Sequence, residues 1–358
     1  MQPGELIHSR YRLIRILGSG ASGTVWHAKN ELIDRDVALK VLRPEVADDA
    51  VKLQRFFNEA KAGGRVRSPS NVEILDLGQA EDGSPFLVFE LLEGEGIDTW
   101  LKREGTIEPE PLFELFVGVA RALDIAHALG IVHRDLKPAN IYVHHAASGE
   151  RVAKVLDFGI SKVFESEGRG AFNLTRAGTV VGSPAYMSPE QAAGRDDLDG
   201  RADVWSLGVV LSEALTGTLP HDAPNYNALM VRILVQDADP VSKRNPNLPP
   251  VVAAVVDGCL RRDRDQRMAS AGVLAQQMEA AIKELRGARY GKVGRRATDR
   301  MPTSGPSTGR GSLPGLPASA TGAGVSPILQ GNAALAVAGI GLAVGLTALV
   351  VSILLHFR

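Results

Sequence analysis

Along residues 11–93, apolar and polar positions change places every one or two residues. YRLIRIL, TVWHAK, RDVALKVL, VEILDLG and PFLVFELL all carry that short period, with turn residues between them. The pattern predicts strands. One segment breaks it. VKLQRFFNEAKAGGRV sets Leu53, Phe56, Phe57 and Ala60 at helical spacing, and Gly63-Gly64 is placed to end the helix. Residues 109–130 and 203–285 are mostly helical in pattern. PEPLFELFVGVARALDIAHALG is a long amphipathic run, while ADVWSLGVVLSEALTG is apolar almost all round and predicts a central, buried helix. The expected fold class is α+β: a β-rich lobe over about 11–93, then a larger α-rich lobe over about 94–285.

Beyond residue 285 the character changes. Residues 286–332 are rich in Pro, Gly and Ser and predict a flexible linker that buries too little apolar surface to fold alone. Then AALAVAGIGLAVGLTALVVSILL, residues 333–355, runs without a charge or a proline. As a helix it spans roughly 35 Å, enough for a bilayer core of about 30 Å with some tilt. A buried core helix is the other reading of such a run, but no domain follows to bury it. A transmembrane helix is expected. Gly341 and Gly345 form G-x-x-x-G within it. That spacing permits close helix contact and a homodimer, or is a chance match in a Gly/Ala-rich helix.

Composition adds little about the fold and something about surroundings. The 358 residues carry a formal charge of −1 and 44% hydrophobic residues, ordinary values for a globular protein. Charge is unevenly placed. Arg286, Arg289, Lys292, Arg295, Arg296, Arg300 and Arg310 face Asp299 alone between residues 286 and 310. Such a stretch suits an anionic surface, and equally a solvated linker. By the positive-inside rule it puts the preceding domain in the cytoplasm, with a single pass through the cell (inner) membrane. About three residues would emerge beyond the helix, so no external sensor domain is expected. Cys259 is the single cysteine, so an intrachain disulfide is excluded and no zinc spacing exists. MQPGELIHSRYRL lacks the apolar stretch of a signal peptide.

The chemistry concentrates in a few places. In IVHRDLKPANIYV, residues 131–143, apolar, strand-like ends flank His133, Arg134, Asp135, Lys137 and Asn140. This is either a solvated loop or a site. Asp135 can accept a hydroxyl proton, Lys137 can neutralise a transferring phosphoryl group, and the Asn140 oxygen can bind a hard cation such as magnesium. VLDFG places Asp157 after an apolar strand as a second such ligand. Upstream, Gly18, Gly20 and Gly23 form G-x-G-x-x-G. TVWHAKN follows and reads as a strand, which argues against a dinucleotide-binding unit, where a helix must follow. A Gly-rich hairpin can approach phosphates with its N–H groups, or be merely flexible. Lys40, ending VALK, can point an ammonium at phosphate oxygens, with Glu59 as the carboxylate to hold it. Together these residues are what phosphoryl transfer asks of a protein.

The Gly-rich loop, VALK, HRDLKPAN, DFG, an APE-like MSPE and DVWSLGV occur in this order. Over roughly residues 11–285 the chain resembles a bacterial eukaryotic-type (Hanks-type) serine/threonine protein kinase. The resemblance implies a bilobal kinase fold, with ATP and Mg²⁺ as cofactors and Mn²⁺ as a substitute ion. Leu17, Gly18, Ser19, Gly20 and Gly23 would cover the nucleotide. Val25 and Ala38 would sandwich adenine, Phe89 would be the gatekeeper, and Glu90 to Leu92 the hinge reading its edge. Lys40, paired with Glu59, would hold the α- and β-phosphates. Asp135 would be the catalytic base, Lys137 the charge stabiliser, and Asn140 and Asp157 the metal ligands. Glu190 would pair with Arg267, and Asp203 would support the catalytic loop.

Lys137 and Ser183 resemble the serine/threonine branch, so protein Ser/Thr hydroxyls are the expected acceptors. Arg134 beside the base suggests a phosphate on the activation segment, with Thr175 and Thr179 as candidate phosphosites or else plain loop hydroxyls. Ala177 stands where related kinases often have a threonine, and Ser188 replaces the alanine of APE. His144 and His145 read as exposed turn residues rather than metal ligands. Expected partners are ATP, protein substrates, the lipid bilayer and a second copy through the transmembrane helix; nucleic acid is not expected. The rival from another class is a membrane-tethered pseudokinase scaffold, which the complete set Lys40, Glu59, Asp135, Asn140 and Asp157 disfavours. A small-molecule kinase is disfavoured by the full activation segment.

Overall fold

The computed structural model describes residues 1–20, 23–42, 49–158 and 184–298, without the side chains of Lys52 and residues 289–298. The alternating segments are strands: β1 (Leu6–Ile7), β2 (Tyr11–Gly20), β3 (Gly23–Asn30), β4 (Arg35–Leu42), β5 (Ile74–Gln79) and β6 (Pro85–Glu90). They form one antiparallel sheet in the order β1-β2-β3-β4-β6-β5. The short period has a cause where one face is buried, as in β2 with Tyr11 and Leu13 inward and Arg12 and Ile14 exposed, while β6 is covered on both faces. Trp26, Val37, Leu39, Val41, Phe86 and Val88 make one cluster with Tyr11 and Leu13. Leu42, Leu87 and Phe89 turn to the other face and pack against Phe56 and Ala60. Those two belong to α1 (Ala50–Gly63), the helix expected from the break in period.

The second lobe begins with β7 (Gly94–Gly96), α2 (Ile97–Glu104) and α3 (Pro109–Ala128). It continues through β8 (Ile141–His145), β9 (Arg151–Val155), α4 (Pro189–Ala192) and α5 (Arg201–Thr216). It ends with α6 (Tyr226–Val235), α7 (Val241–Arg244), α8 (Pro250–Cys259) and α9 (Ala271–Thr298). Helix α5 is the hub. Thirteen of its sixteen residues are buried, Trp205 and Asp203 among them, which is why no polar face shows in its sequence. A glycine is required within it: a Cβ on Gly208 would lie 2.4 Å from the Cys259 Cβ of α8. Cys259 is buried, and burial pushes its thiol up to about 12, as expected of a small core residue.

Three local features differ from the sequence expectation. Residues 131–133 are not a strand; only the IYV side of that loop is, as β8. His144 and His145 are not turn residues: they end strand β8, paired with Val152 and Arg151 of β9, and only His145 is exposed; with β7 these strands make a three-stranded sheet. The linker expected from residue 286 begins as helix, since α9 runs unbroken to Thr298. The contacts that anchor this helix lie at or before Arg286. Helix α9 lies along α3, with Gly272 N–H donating to Asp124 at 2.9 Å. Arg121 pairs with Glu279, and Arg286 reaches both Glu110 and Glu114. Among the described residues no helix is long and apolar enough to cross a membrane. The apolar stretch 333–355 lies outside them, as do Gly341 and Gly345.

Candidate active site

The charged loop 133–140 is held by bonds its own sequence does not reveal. Asp203, fully buried at the start of α5, accepts from the backbone N–H of His133 at 2.8 Å and of Arg134 at 2.9 Å. His127 of α3 lies 2.7 Å from the same carboxylate. Burial pushes the Asp203 carboxyl up, but the His127 hydrogen bond and charge, with His133, outweigh it and hold the group below its usual range. These bonds impose a left-handed backbone on Arg134, φ 69°. A non-glycine residue there costs about 1–3 kcal/mol and persists only where surroundings dictate it.

The His133 ring continues the support. Its Nδ1 accepts from Asp135 N–H at 3.3 Å, so its Nε2 donates to Leu156 O at 2.8 Å. Phe158 packs edge-on against the ring at 5.1 Å. Leu156 is also tied through its N–H to Asn140 O at 2.9 Å. Asp157 follows with φ 58°, a second left-handed residue. The two strained positions of the site therefore stand on one shared scaffold.

On that scaffold three expected residues converge. The Asp135 carboxylate accepts from Lys137 Nζ at 2.7 Å and from Asn140 Nδ2 at 3.1 Å. Asn140 Nδ2 also donates to Asp135 O at 2.7 Å. The Asn140 nitrogen is thus spent on Asp135, which leaves its oxygen for a cation. Asp157 uses Oδ2 on Lys40 Nζ at 2.6 Å, leaving its other oxygen. Among the described residues no cluster of three His, Cys, Asp or Glu side chains could hold a metal. One carboxylate and one amide oxygen suit a hard cation that takes its remaining ligands from phosphate and water, as magnesium does.

The expected Lys40–Glu59 pair is not formed. Lys40, 6% exposed on β4, gives its ammonium to Asp157, and Glu59 on α1 makes no ion pair with it. A mostly desolvated ammonium takes the carboxylate within reach, and Asp157 is at contact distance.

The glycine hairpin joins β2 to β3, with Gly18 opposite Val25, Ser19 opposite Thr24 and Gly20 opposite Gly23. Ala21 and Ser22 at its tip lie outside the described residues. Gly23 has a steric reason as well: its φ is 150°, and a Cβ would meet Val41 O at 2.1 Å. Register puts Val25 opposite Lys40 and Ala38 opposite Phe89. Paired residues share a face, so Val25, Ala38, Lys40 and Phe89 line one side of the sheet. Ala38, Phe89 and Leu92 belong to one apolar cluster. Leu17 is exposed on β2. Thr175, Thr179 and Ser183 lie outside the described residues.

Glu190 and Arg267 form a buried bidentate pair at 2.7 and 3.0 Å. Three supporting roles, of Ser188, Gln191 and Lys154, were not read from the sequence. Ser188 and Gln191 form a capping box at the start of α4, and Gln191 Nε2 also donates to Arg134 O at 2.8 Å. That signal was legible as S-x-x-Q. Lys154 of β9 is buried against Glu90 at 2.7 Å. A lone strand lysine carries no sequence signal for burial.

This geometry agrees with comparison to known proteins. The protein kinase domain model matches residues 11–278. The chain belongs to the protein kinase family, in its bacterial eukaryotic-type branch. Serine/threonine-protein kinase pkn3 of Myxococcus xanthus is 37% identical over 285 residues, covering 79% of this chain and 52% of that protein. Serine/threonine-protein kinase PrkC of Bacillus subtilis is 32% identical over 280 residues, covering 78% and 41%. The chain spans about half the length of the curated relatives it matches. The crystal structure of the PknI kinase domain of Mycobacterium tuberculosis superposes with a TM-score of 0.60 at 26% identity, covering 78% of this chain and 99% of that one.

Proposed function

We propose that the chain is an active serine/threonine protein kinase, transferring the γ-phosphoryl group of ATP to protein Ser/Thr hydroxyls and to itself. The observation that carries this is the convergence of Lys137 and Asn140 on Asp135, with Lys40 and Asp157 in contact nearby. Asp135 takes the proton of the acceptor hydroxyl. The acceptor's hydroxyl oxygen forms the new bond to the γ-phosphorus as the bond to the β–γ bridging oxygen breaks, and ADP leaves. Lys137 and Lys40 neutralise charge on the phosphates. Asn140 and Asp157 would hold Mg²⁺, which when bound neutralises phosphate charge as well. The hinge backbone from Glu90 to Leu92 would read adenine. The names of the relatives support serine and threonine as acceptors.

Incubating the full chain with labelled ATP and Mg²⁺ tests this. Label should enter the chain itself and a generic basic protein, and Lys40→Ala should abolish it. Mapping of the labelled product should find Thr175 or Thr179, the hydroxyls that Arg134 beside the base suggests as phosphosites. ATP binding without any transfer would favour the pseudokinase scaffold and sink the catalytic reading.

Membrane anchoring is the second part of the proposal, supported by the uncharged stretch 333–355 and the basic stretch before it. Fractionation should place the full chain with membranes and a chain lacking 333–355 in the soluble fraction. In bilayers, Gly341→Ile with Gly345→Ile should weaken self-association; unchanged association would make that glycine pair incidental.

A further inference from the structure

Lys154 is a buried lysine with no part in the chemistry above. It sits on β9, 9% exposed, three residues before Asp157. Its Nζ donates to Glu90 Oε1 at 2.7 Å and approaches Asn71 O at 3.4 Å. Glu90 closes β6 and opens the hinge. The same Oε1 accepts from Glu73 N–H at 2.8 Å, and the Glu90 N–H donates to Glu73 O at 3.1 Å. Asn71 is itself fixed. Its Nδ2 donates to Val66 O at 2.8 Å and Gly63 O at 3.3 Å, and its backbone bridges to Val155. So the first hinge residue is fastened through one carboxylate to strand β9, which leads directly to Asp157.

Stability alone is a poor reason for such a pair. Both side chains are largely withdrawn from water, 11% and 18% exposed, and a buried ion pair gains little over well-packed apolar residues. What it adds is direction. A short, charge-assisted hydrogen bond fixes the position of Glu90 more tightly than apolar contact can. The flanking backbone adds to this: Glu73 N–H donates to the Glu90 carboxylate and Asn71 O accepts from the Lys154 ammonium.

We propose that Lys154 is a positioning residue for nucleotide recognition: through Glu90 it holds the hinge segment Glu90–Leu92 at a fixed spacing from the strand bearing Asp157. Adenine and phosphate are then read by two parts of one rigid frame. The inference rests on the hinge reading given under the proposed function.

The test uses the full chain, with equilibrium binding of ATP and GTP measured alongside steady-state transfer. Lys154→Met should raise both Kd and KM for ATP roughly tenfold, with kcat holding within about twofold, because the loss falls on binding. Preference for ATP over GTP should narrow. Lys154→Arg, which keeps the charge-assisted bond, should stay near wild type. Lys154→Met leaves Glu90 buried without its partner, so the double variant with Glu90→Gln separates folding from positioning. It should recover the urea midpoint yet keep the weakened ATP binding. Wild-type ATP affinity in folded Lys154→Met, or in the double variant, would overturn the proposal. So would a fall in kcat at unchanged KM. A wild-type chain that binds ATP but transfers nothing would defeat the catalytic reading while the binding measurements still decide this one. A wild-type chain that binds neither nucleotide would overturn both.

Discussion

Asp135→Asn will cut phosphoryl transfer by roughly 10²–10⁴-fold, the range that a positioned general base contributes, while leaving nucleotide affinity near wild type. The substitution keeps the size of the side chain and removes its charge. In the native loop that charge draws Lys137 Nζ to 2.7 Å and Asn140 Nδ2 to 3.1 Å. An amide cannot take the acceptor proton. The loop itself should stay in place, because Asp203 and His133 hold its backbone rather than its side chains. Single-turnover transfer measured beside equilibrium ATP binding is the check. Transfer at the wild-type rate would remove Asp135 from the chemistry.

Arg267→Met should cost about 3–5 kcal/mol of stability, the usual penalty for leaving a buried charge without its partner. Arg267 also donates to Arg201 O at 2.7 Å and Arg261 O at 3.0 Å, and its guanidinium lies over the Trp205 ring at 5.2 Å. One side chain therefore joins α4, α5 and the loop after α8. Urea unfolding should show a lower midpoint, and adding Glu190→Gln should recover much of the loss. The pH dependence has a definite sign. Burial pushes the Glu190 carboxyl up, but the Arg267 bond and charge prevail and hold it below its usual range. A carboxyl lowered by folding contributes stability that is present above its unfolded pKa and is lost as pH falls through its folded one. In Arg267→Met the bond and charge that lower the group most are gone, burial is opposed only by the Glu190 backbone and Ser188 hydrogen bonds, and the stability gained from ionising Glu190 shrinks. The gap between wild type and variant should therefore narrow as pH is lowered through the carboxylate range. A constant gap would show that Glu190 does not carry the effect.

Much of this molecule is written locally. Strand alternation in β2 to β6, the helical spacing of Phe56 and Ala60 in α1, and the all-round apolarity of α5 are properties of neighbouring residues. Each survives in the fold because burial of a face is what creates the period. The catalytic loop is legible for the same reason: Asp135, Lys137 and Asn140 lie within six residues, so the backbone alone keeps them close.

Tertiary structure decided the rest. Lys40 answers Asp157 and not Glu59, because the choice depends on how β4, α1 and the end of β9 lie in space, and residue spacing carries no such information. Lys154 reads as a solvated strand charge until Glu90 and Asn71 are seen around it. The resemblance assigns Asp203 to the catalytic loop, but its partners, two backbone amides some seventy residues away, are seen only in the fold. Helix α9 is anchored on α3, where Arg121 partners Glu279 and Glu110 and Glu114 partner Arg286, a match that residue spacing does not carry. Periodicity and motif are local and can be read in order along the chain. Partner choice among buried charges is set by distance and desolvation, and those exist only once the chain has folded.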